Sequence, residues 1–424
     1  MKTARPALNE CHVLCHDAKT ADVVGAIKKS LEGEGMGDLA LAVKVEGDPG
    51  AAPRRHVMKR RAAFAKARIF LPRVTWVENV ASSTATTEPQ RRALDYESDV
   101  LAAIDWADFD SGKLLADWAP TPRNPSTLAA PGAIDPHWIR LREPGVTLRA
   151  PLDRARLVRS LTDIAPNPFW VWLWVAGALS RLQGAGFDES TLAASTASMI
   201  ERLRVDVEAE RDRLAAACFG DLVARGRIEF ALRADAADYE MPLEFAFDLD
   251  GKPEPLIRDD ARLVEKSLFE PFIRNGFNNF ESGFACYLDD RAAVEWWHRN
   301  VAKRQYGLQG WKRDKVYPDF VFAMLDAPNQ RRLVVLETKG AHLAGNEDTV
   351  YKRALMERLS AVFADKRGDR PATMAGALEL EGGDLGTRVV CDLLLDVAWQ
   401  GAFEARHFAP RNPLDDGRAP ASIA

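Results

Sequence analysis

The stretch VYPDFVFAMLDAPNQRRLVVLETKGAHLAGNEDTVYK, residues 316–352, decides the fold of the C-terminal part of this chain. Two apolar runs, Phe320–Leu325 and Leu333–Leu336, flank a polar segment that contains Pro328. Apolar runs separated by turn-forming residues are typical of two adjacent strands. We therefore expect a β-hairpin in this stretch.

The register of this hairpin is expected to bring ionisable side chains together. A turn centred near Pro328 places Asp319 opposite Glu337, so the two side chains start only about 5 Å apart. Lys339 lies two residues beyond Glu337 and points to the same face of the strand. Two carboxylates and a lysine are thus predicted to converge at one end of a buried hairpin.

Two carboxylates and a lysine suit metal-assisted phosphodiester hydrolysis. Carboxylate oxygens are hard ligands, and Mg²⁺ usually takes only one or two of them beside waters and phosphate oxygens. The backbone carbonyl of Thr338 would add another oxygen. Bound Mg²⁺, for which Mn²⁺ can substitute, neutralises charge on the phosphate, while Lys339 orients the nucleophile and stabilises developing negative charge.

The E-X-K triplet by itself is a weak signal. Glu and Lys are common surface residues, so the simplest interpretation of an isolated triplet is a solvated strand end. Here the triplet closes the apolar run LVVL, where a strand is expected to be buried on both faces. Charge in such a place is costly unless it is paired or metal-bound. With Asp319 at the mirrored position, the context favours a nuclease site.

The sequence around the site resembles a known nuclease family. The pattern D-(X)n-E-X-K of the PD-(D/E)XK nucleases is present as PD at 318–319 and ETK at 337–339. The segments YPDF, VLETKGAHL and DTVYK resemble the C-terminal endonuclease domain of type III restriction subunits and related DEAD/DEAH-box helicase-nucleases. NNFESGFACYLDDRAAVEWWHRN is similar to the helix that opens that domain. The resemblance covers residues 254–409 well and extends upstream more loosely.

This resemblance implies an α/β fold class. We expect a C-terminal PD-(D/E)XK restriction-endonuclease-like mixed sheet flanked by helices, preceded by a helical region and an N-terminal α+β region. A length of 424 residues also suggests two or three domains. The predicted divisions are 1–150, 151–250 and 254–409, followed by a tail at 410–424.

The resemblance also implies a function, namely Mg²⁺-dependent cutting of double-stranded DNA in restriction or antiviral defence. Asp319, Glu337 and Lys339 would be catalytic, and Glu281, on the opening helix, would join Asp319, Glu337 and the Thr338 carbonyl around the metal. Glu281 has a second interpretation, a glutamate favoured in a first helical turn by the helix dipole. The predicted DNA-binding residues are all basic: Lys312, Arg313, Lys315, Lys352 and Arg353.

Lys352 has two further interpretations, support of the metal ligands or an ordinary surface position. A cluster such as Lys312, Arg313 and Lys315 beside a metal site would grip DNA phosphates.

The motor of that family is missing from the sequence. The chain has no G-x-x-x-x-G-K-[ST] loop and no DEAH-like box, so we expect no P-loop ATP site. Either the chain is part of a longer helicase-nuclease, or a separate helicase/ATPase subunit, accompanied by a modification subunit, brings it to DNA. The alternative function is a non-catalytic scaffold that keeps the nuclease fold and binds DNA or a partner.

Composition restricts the cellular context. A net charge of −5 does not indicate a nucleic-acid binder, so basic residues would have to be concentrated locally. Five scattered cysteines are typical of free thiols in a reducing compartment. No secretory signal is recognisable, and the apolar run Phe169–Leu179 is too short to span a bilayer. We expect a cytoplasmic protein without a membrane partner.

Three upstream segments leave alternatives open. The basic run 53–73 either follows a phosphate backbone, or forms a solvated face or a loop that packs against acidic neighbours. The aromatic residues of 169–174 either pack in a helical core, which we favour, or stack on unpaired bases. CHVLCHD at 11–17 contains potential zinc ligands, but no second pair follows at finger-like spacing, so a core strand is favoured.

Periodicity predicts the local structure around the motif. Amphipathic helices are expected between Asp153 and Ala224, and Pro72 should interrupt a strand at Ile69–Val77. In the nuclease module, helices are expected at 263–273 and 280–288, and a strand at 304–308. A helix capped by Asp348 and a buried strand at 389–397 should follow, and the apolar stripe expected on that helix is Tyr351, Leu355, Leu359, Val362 and Phe363.

Overall fold

The computed structural model describes residues 54–78, 89–120, 151–249, 252–274, 277–327, 330–365 and 386–408. The chain is mixed α/β and divides into two compact units. The larger unit combines the described residues up to Leu94 with those from Gly226 onward, and the smaller unit is Asp95–Arg225. The predicted limits at residues 150 and 250 differ from this division, because strands before Leu94 pair with strands after Gly226.

Short strands from the two sequence segments of the larger unit form three small sheets. Their strand orders are β7-β1-β8, β4-β3-β5 and β2-β6. Their bounds are β1 Arg54–Arg60, β2 Phe70–Leu71, β3 Arg73–Val77, β4 Arg91–Ala93, β5 Ile228–Ala231, β6 Tyr239–Glu240, β7 Glu244–Leu249 and β8 Phe269–Glu270. Pro72 separates β2 from β3, as predicted, because proline has no N–H to donate to a ladder.

The smaller unit is helical, as predicted. After the π-helix Tyr96–Val100 and short 3₁₀ turns come α1 Arg154–Arg159, α2 Pro168–Gly184, α3 Glu189–Ala194 and α4 Thr196–Ala224. Asp153 caps α1 by accepting a hydrogen bond from the backbone N–H of Arg156. Leu203, Val207 and Leu214 of the predicted stripe on α4 are buried.

The aromatic run of α2 only partly enters the core. Trp174 is buried and stacks on Phe109, with ring centroids 3.7 Å apart. Phe169, however, is 80% exposed and Trp172 is 46% exposed, so the favoured core position is wrong for these two residues. A helix buries only the face that meets its neighbours. Among the described residues, no helix is long and apolar enough to cross a membrane.

A four-stranded mixed sheet forms the centre of the C-terminal part of the larger unit. Its elements are α5 Asn279–Asp290, β9 Val294–Arg299, β10 Phe320–Ala327, β11 Gln330–Lys339, α6 Glu347–Asp365, β12 Gly386–Leu395 and α7 Trp399–His407. The strand order is β12-β11-β10-β9. β9, β10 and β11 are antiparallel, and β12 lies parallel to β11.

The predicted hairpin is confirmed with its register. Phe320 of β10 pairs with Leu336 of β11, and the following pairs keep this alignment as far as Leu325 and Arg331. One residue outward from the first pair, Asp319 lies opposite Glu337. Both strands are buried along most of their length, and β9 and β12 pair with the two edges of the hairpin.

Two predictions of secondary structure near the sheet are wrong. Residues 263–273 form no helix but contribute β8 and isolated bridges, because Pro271 would remove a helical hydrogen bond and clash with the preceding turn. The outer strand is Val294–Arg299 rather than residues 304–308, which form a turn and an irregular segment ending in an isolated bridge between Leu308 and Val316. Trp296 and Trp297 are buried, as expected of structural residues, but in a strand, where aromatic side chains pack well.

Other local predictions stand, with one correction. Helix α5 and the late strand β12 form where expected, although Val397 lies beyond β12 and is 68% exposed. The predicted stripe of α6 is buried at Tyr351, Leu355, Leu359, Val362 and Phe363. The expected cap at Asp348 is wrong, because Asn346 supplies the side-chain oxygen that accepts the Asp348 N–H at 2.8 Å.

Candidate active site

Asp319 is held against the E-T-K triplet by Thr338. One oxygen of its carboxylate, Oδ2, accepts the backbone N–H of Thr338 at 2.7 Å and the Thr338 hydroxyl at 2.6 Å. Behind it, Asn300 donates its backbone N–H to the Asp319 carbonyl at 2.8 Å and its side-chain amide to the Pro318 carbonyl at 2.9 Å. The carboxylate therefore has a defined orientation at the end of β10.

Glu337 is buried among charged groups, with only 2% of its surface exposed. Its Oε1 lies 2.9 Å from the Lys352 ammonium and 3.2 Å from the Lys339 ammonium. Its second oxygen, Oε2, is buried and has no hydrogen-bond partner within the described part of the chain. Such an oxygen is costly to leave unsatisfied in a folded protein.

The electrostatics of the site oppose full ionisation. Burial raises the pKa of Glu337, and repulsion from Asp319 adds to this rise, which the two lysines do not offset. Burial alone would lower the pKa of Lys352, but attraction to Glu337 and Asp348 outweighs it, so that pKa is raised. The raised pKa of Lys352 is thus caused by its ion pairs, whereas the raised pKa of Glu337 is caused by burial together with the nearby charge of Asp319.

Glu281 lies close enough to Asp319 to feel its charge, but it has structural partners. In a capping box, its backbone N–H donates to Asn278 Oδ1 at 2.8 Å and its Oε2 accepts the Asn278 N–H at 3.2 Å. Arg299 lies 3.3 Å from the same oxygen. Burial raises the pKa of Glu281, Arg299 and the Asn278 N–H oppose the rise, and Asp319 adds to it.

No group of three or more His, Cys, Asp or Glu side chains that would hold a metal ion is found among the described residues. The metal-ligand role of Glu281 therefore stays a prediction. The possible zinc ligands Cys11, His12, Cys15 and His16 lie outside the described residues.

The predicted DNA-binding residues separate into different places. Lys352 contacts Glu337, and Arg353 is half-buried beside it on α6. The Lys312 ammonium lies 5.2 Å from the centre of the Tyr351 ring, and Arg313 is half-buried. Lys315 is exposed and lines a cavity described below. Of these residues, Lys352 is in direct contact with a predicted catalytic residue, Glu337.

Much of the basic run at 53–73 has a structural use. Arg60 is buried and donates to the carbonyls of Pro242, Ala67 and Met241. Arg61 lies 3.0 Å from Glu270, and Arg68 lies 2.8 Å from Glu240. Arg61 and Arg68 therefore fit the second interpretation considered from sequence, packing against acidic neighbours, whereas Arg60 pairs with backbone carbonyls instead.

Sequence reasoning missed two features. The Thr338 side chain was not expected to bind Asp319, although its place between Glu337 and Lys339 in the motif was a usable signal. Arg304 was placed in a strand, whereas it lies with Lys303 in a turn that borders the cavity. Comparisons with protein-family models, with curated proteins and with solved structures found no match to this chain.

Proposed function

We propose that this protein is a Mg²⁺-dependent DNA endonuclease that cuts with Asp319, Glu337 and Lys339. One observation carries the proposal: the buried Glu337 carboxylate lies beside Asp319 and between two lysines, with one oxygen lacking a partner. A structural ion pair would be expected to satisfy both oxygens. A carboxylate with a raised pKa, a like-charged neighbour and an unpaired oxygen is typical of a functional site.

The donor set fits a hydrated Mg²⁺ ion. Mg²⁺ binds through one or two carboxylates and keeps several waters, so Asp319 and the free oxygen of Glu337 would suffice, and the Thr338 carbonyl would add a third oxygen. When bound, the ion would supply Lewis-acid stabilisation of negative charge on the phosphate. The ion would also relieve the repulsion between the two carboxylates. This repulsion adds to the rise in the Glu337 pKa that burial causes.

Each remaining side chain has a separate task in this proposal. Thr338 orients Asp319 through two hydrogen bonds, and Lys352 holds Glu337 in place through Oε1. Lys339 is closer to solvent than Glu337 and places a positive charge at the mouth of the site, where it would stabilise the phosphate during cleavage.

The substrate and biological setting in this proposal rest on the family resemblance. The mixed sheet, with α5 packed on β9 and α6 on β12, is compatible with a PD-(D/E)XK nuclease domain. Double-stranded DNA would be the substrate, a helicase subunit the motor, and restriction or phage defence the role. The non-catalytic scaffold is the competing function, supported by the absence of a three-acid group in the described residues.

The test is DNA cleavage combined with metal binding. Supercoiled and linear DNA are incubated with the protein in Mg²⁺ or EDTA, and Mn²⁺ binding is measured by calorimetry. Asp319→Asn and Lys339→Ala should each reduce cleavage by about 100-fold or more, the size typical of losing one electrostatic catalyst. Arg154→Ala, at an exposed position of α1, is the matched control and should cut normally.

Two results would overturn the proposal. Cleavage that survives Asp319→Asn, or that proceeds in EDTA, would exclude the mechanism. A protein that neither cuts DNA nor binds Mn²⁺ more tightly than its Glu337→Gln variant would be a scaffold.

A further inference from the structure

A cavity with a strongly basic lining lies in the larger unit, on the segment that leads into Asp319. Its volume is about 380 Å³. Four of its lining residues are basic, and none of the described residues that line it is acidic: the basic ones are Arg73, Lys303, Arg304 and Lys315. The cavity is therefore suited to a ligand that carries negative charge.

The walls of the cavity are held by buried hydrogen bonds. Asn300 donates to the Tyr306 carbonyl at 2.7 Å and accepts the Tyr306 N–H at 3.1 Å. The Tyr306 hydroxyl donates to the Pro72 carbonyl at 2.6 Å, which ties the segment to the chain just before Arg73. Leu308 and Val316 exchange two backbone hydrogen bonds of 2.8 Å. The cavity is thus formed before any ligand binds.

Lys303 occupies its position at a conformational cost. Its backbone has φ of 62°, the left-handed region that residues other than glycine rarely adopt. The surrounding turn is stabilised by the Gln305 side chain, whose Oε1 accepts the Val301 N–H at 2.9 Å. The turn therefore places Lys303 at a defined position on the wall of the cavity.

Two tyrosines add aromatic surface to the lining. The Arg73 guanidinium lies 5.2 Å from the centre of the Tyr239 ring, so the ring also positions one of the four cations. Tyr317 lies so close to Gly307 that a Cβ at Gly307 would be 2.9 Å from the ring. Tyr317 lies two residues before Asp319 in the sequence.

We propose that this cavity binds a nucleotide, with the phosphate on the basic side chains and the base against the tyrosines. Arginine and lysine are the usual phosphate ligands, and aromatic rings stack on any base. Ligand pockets occupy about 300–1,000 Å³, so the volume suits a whole nucleotide better than a phosphate ion. The nucleotide is either free or part of a DNA strand, since both present the same chemistry.

The experiment measures binding to the full chain in EDTA, so that cutting plays no part. Calorimetry compares deoxyadenosine monophosphate with deoxyadenosine and with inorganic phosphate. The nucleotide should bind at least about tenfold more tightly than either fragment, because only it uses both parts of the lining. An oligonucleotide with a 5′-phosphate, compared with the free nucleotide, identifies the source: whichever binds more tightly is the natural ligand.

Variants connect the binding to this cavity. The double variant Arg304→Ser and Lys315→Ser changes two exposed residues and should weaken nucleotide binding at least tenfold, whereas Lys66→Ser should not. Gly307→Ala keeps every charge but displaces Tyr317, and should also weaken binding. Equal affinity for phosphate and nucleotide, or unchanged binding by the double variant, would overturn the proposal. Neither result would bear on cleavage at Asp319, which is measured separately with Mg²⁺.

Discussion

The two ends of the hairpin β10–β11 both bury charged side chains, but these side chains are fully paired at the turn end and incompletely paired at the other end. At the turn end, Arg331 is 2% exposed and pairs with both oxygens of Glu295, at 2.5 and 2.8 Å. Beside it, Arg332 is paired with Asp326 and donates to the His407 carbonyl at 2.8 Å. Within the described residues, every buried side-chain nitrogen of these two arginines has a hydrogen-bond partner.

At the other end of the same strands, the charges are crowded and incompletely paired. Glu337 is as buried as Arg331, yet one of its oxygens has no partner and Asp319 repels it. The two ends share one sheet and the same degree of burial, so burial does not explain the difference. Complete pairing serves the stability of the sheet, whereas incomplete pairing leaves groups free to bind something else.

The largest effect is expected from breaking the completed pair. Arg331→Ala leaves Glu295 half-buried without its partner, and the free energy of unfolding should fall by about 3 kcal/mol, as for other buried ion pairs that lose one member. Urea denaturation measures this. The double variant Arg331→Met and Glu295→Met is the control and should recover most of the loss. A loss below about 1 kcal/mol for Arg331→Ala would contradict the structural role.

A smaller effect is expected at Asp238, a buried carboxylate outside both ends of the hairpin. Its Oδ2 accepts the N–H groups of Arg233 and Ala234 at 2.6 and 2.7 Å, while its Oδ1 is buried without a partner in the described residues. Burial raises its pKa from 3.8 to about 6. Between these values the folded protein holds a proton that the unfolded chain has lost, so stability falls as the pH rises through about 6.

Asp238→Asn should therefore stabilise the protein above that pH, by up to about 2 kcal/mol, and change little below about pH 4. Unfolding in urea at several pH values measures the difference. A gain that is the same at all pH values would show that the Asp238 proton is not its cause.

The smallest change in stability is expected at the crowded end. Glu337→Gln removes a buried charge that Asp319 repels, so unfolding free energy near neutral pH should stay the same or rise by about 1 kcal/mol. Since the Glu337 pKa is raised, the native protein should lose stability relative to this variant as the pH increases through that pKa. The same variant should not cut DNA. A large loss of stability in Glu337→Gln would show instead that the charges at this end stabilise the fold, as those at the turn end do.

Prediction from sequence worked where the structure depends on neighbours along the chain. The hairpin register follows from the positions of two apolar runs, because a shift of one residue would turn every buried side chain outward. The buried apolar stripe of α6 was predictable for the same reason, since it depends on the spacing of neighbouring residues along the chain. Val294–Arg299 was mistaken for part of a helix because a short apolar run containing two tryptophans suits a buried helix as well as a strand. Helix 263–273 failed because its apolar spacing was given more weight than Pro271.

The sequence by itself determined the motif, its register and the meeting of Asp319 with Glu337, because antiparallel pairing around a short turn is a local geometric relation. Only the tertiary structure decided which charges would be satisfied. Lys352 reaches Glu337 from α6, and Glu295 reaches Arg331 from β9. The basic cavity likewise joins Arg73 to Lys315, which come from the two separate sequence segments of the larger unit. Such pairings depend on how separate elements pack, which no local pattern specifies.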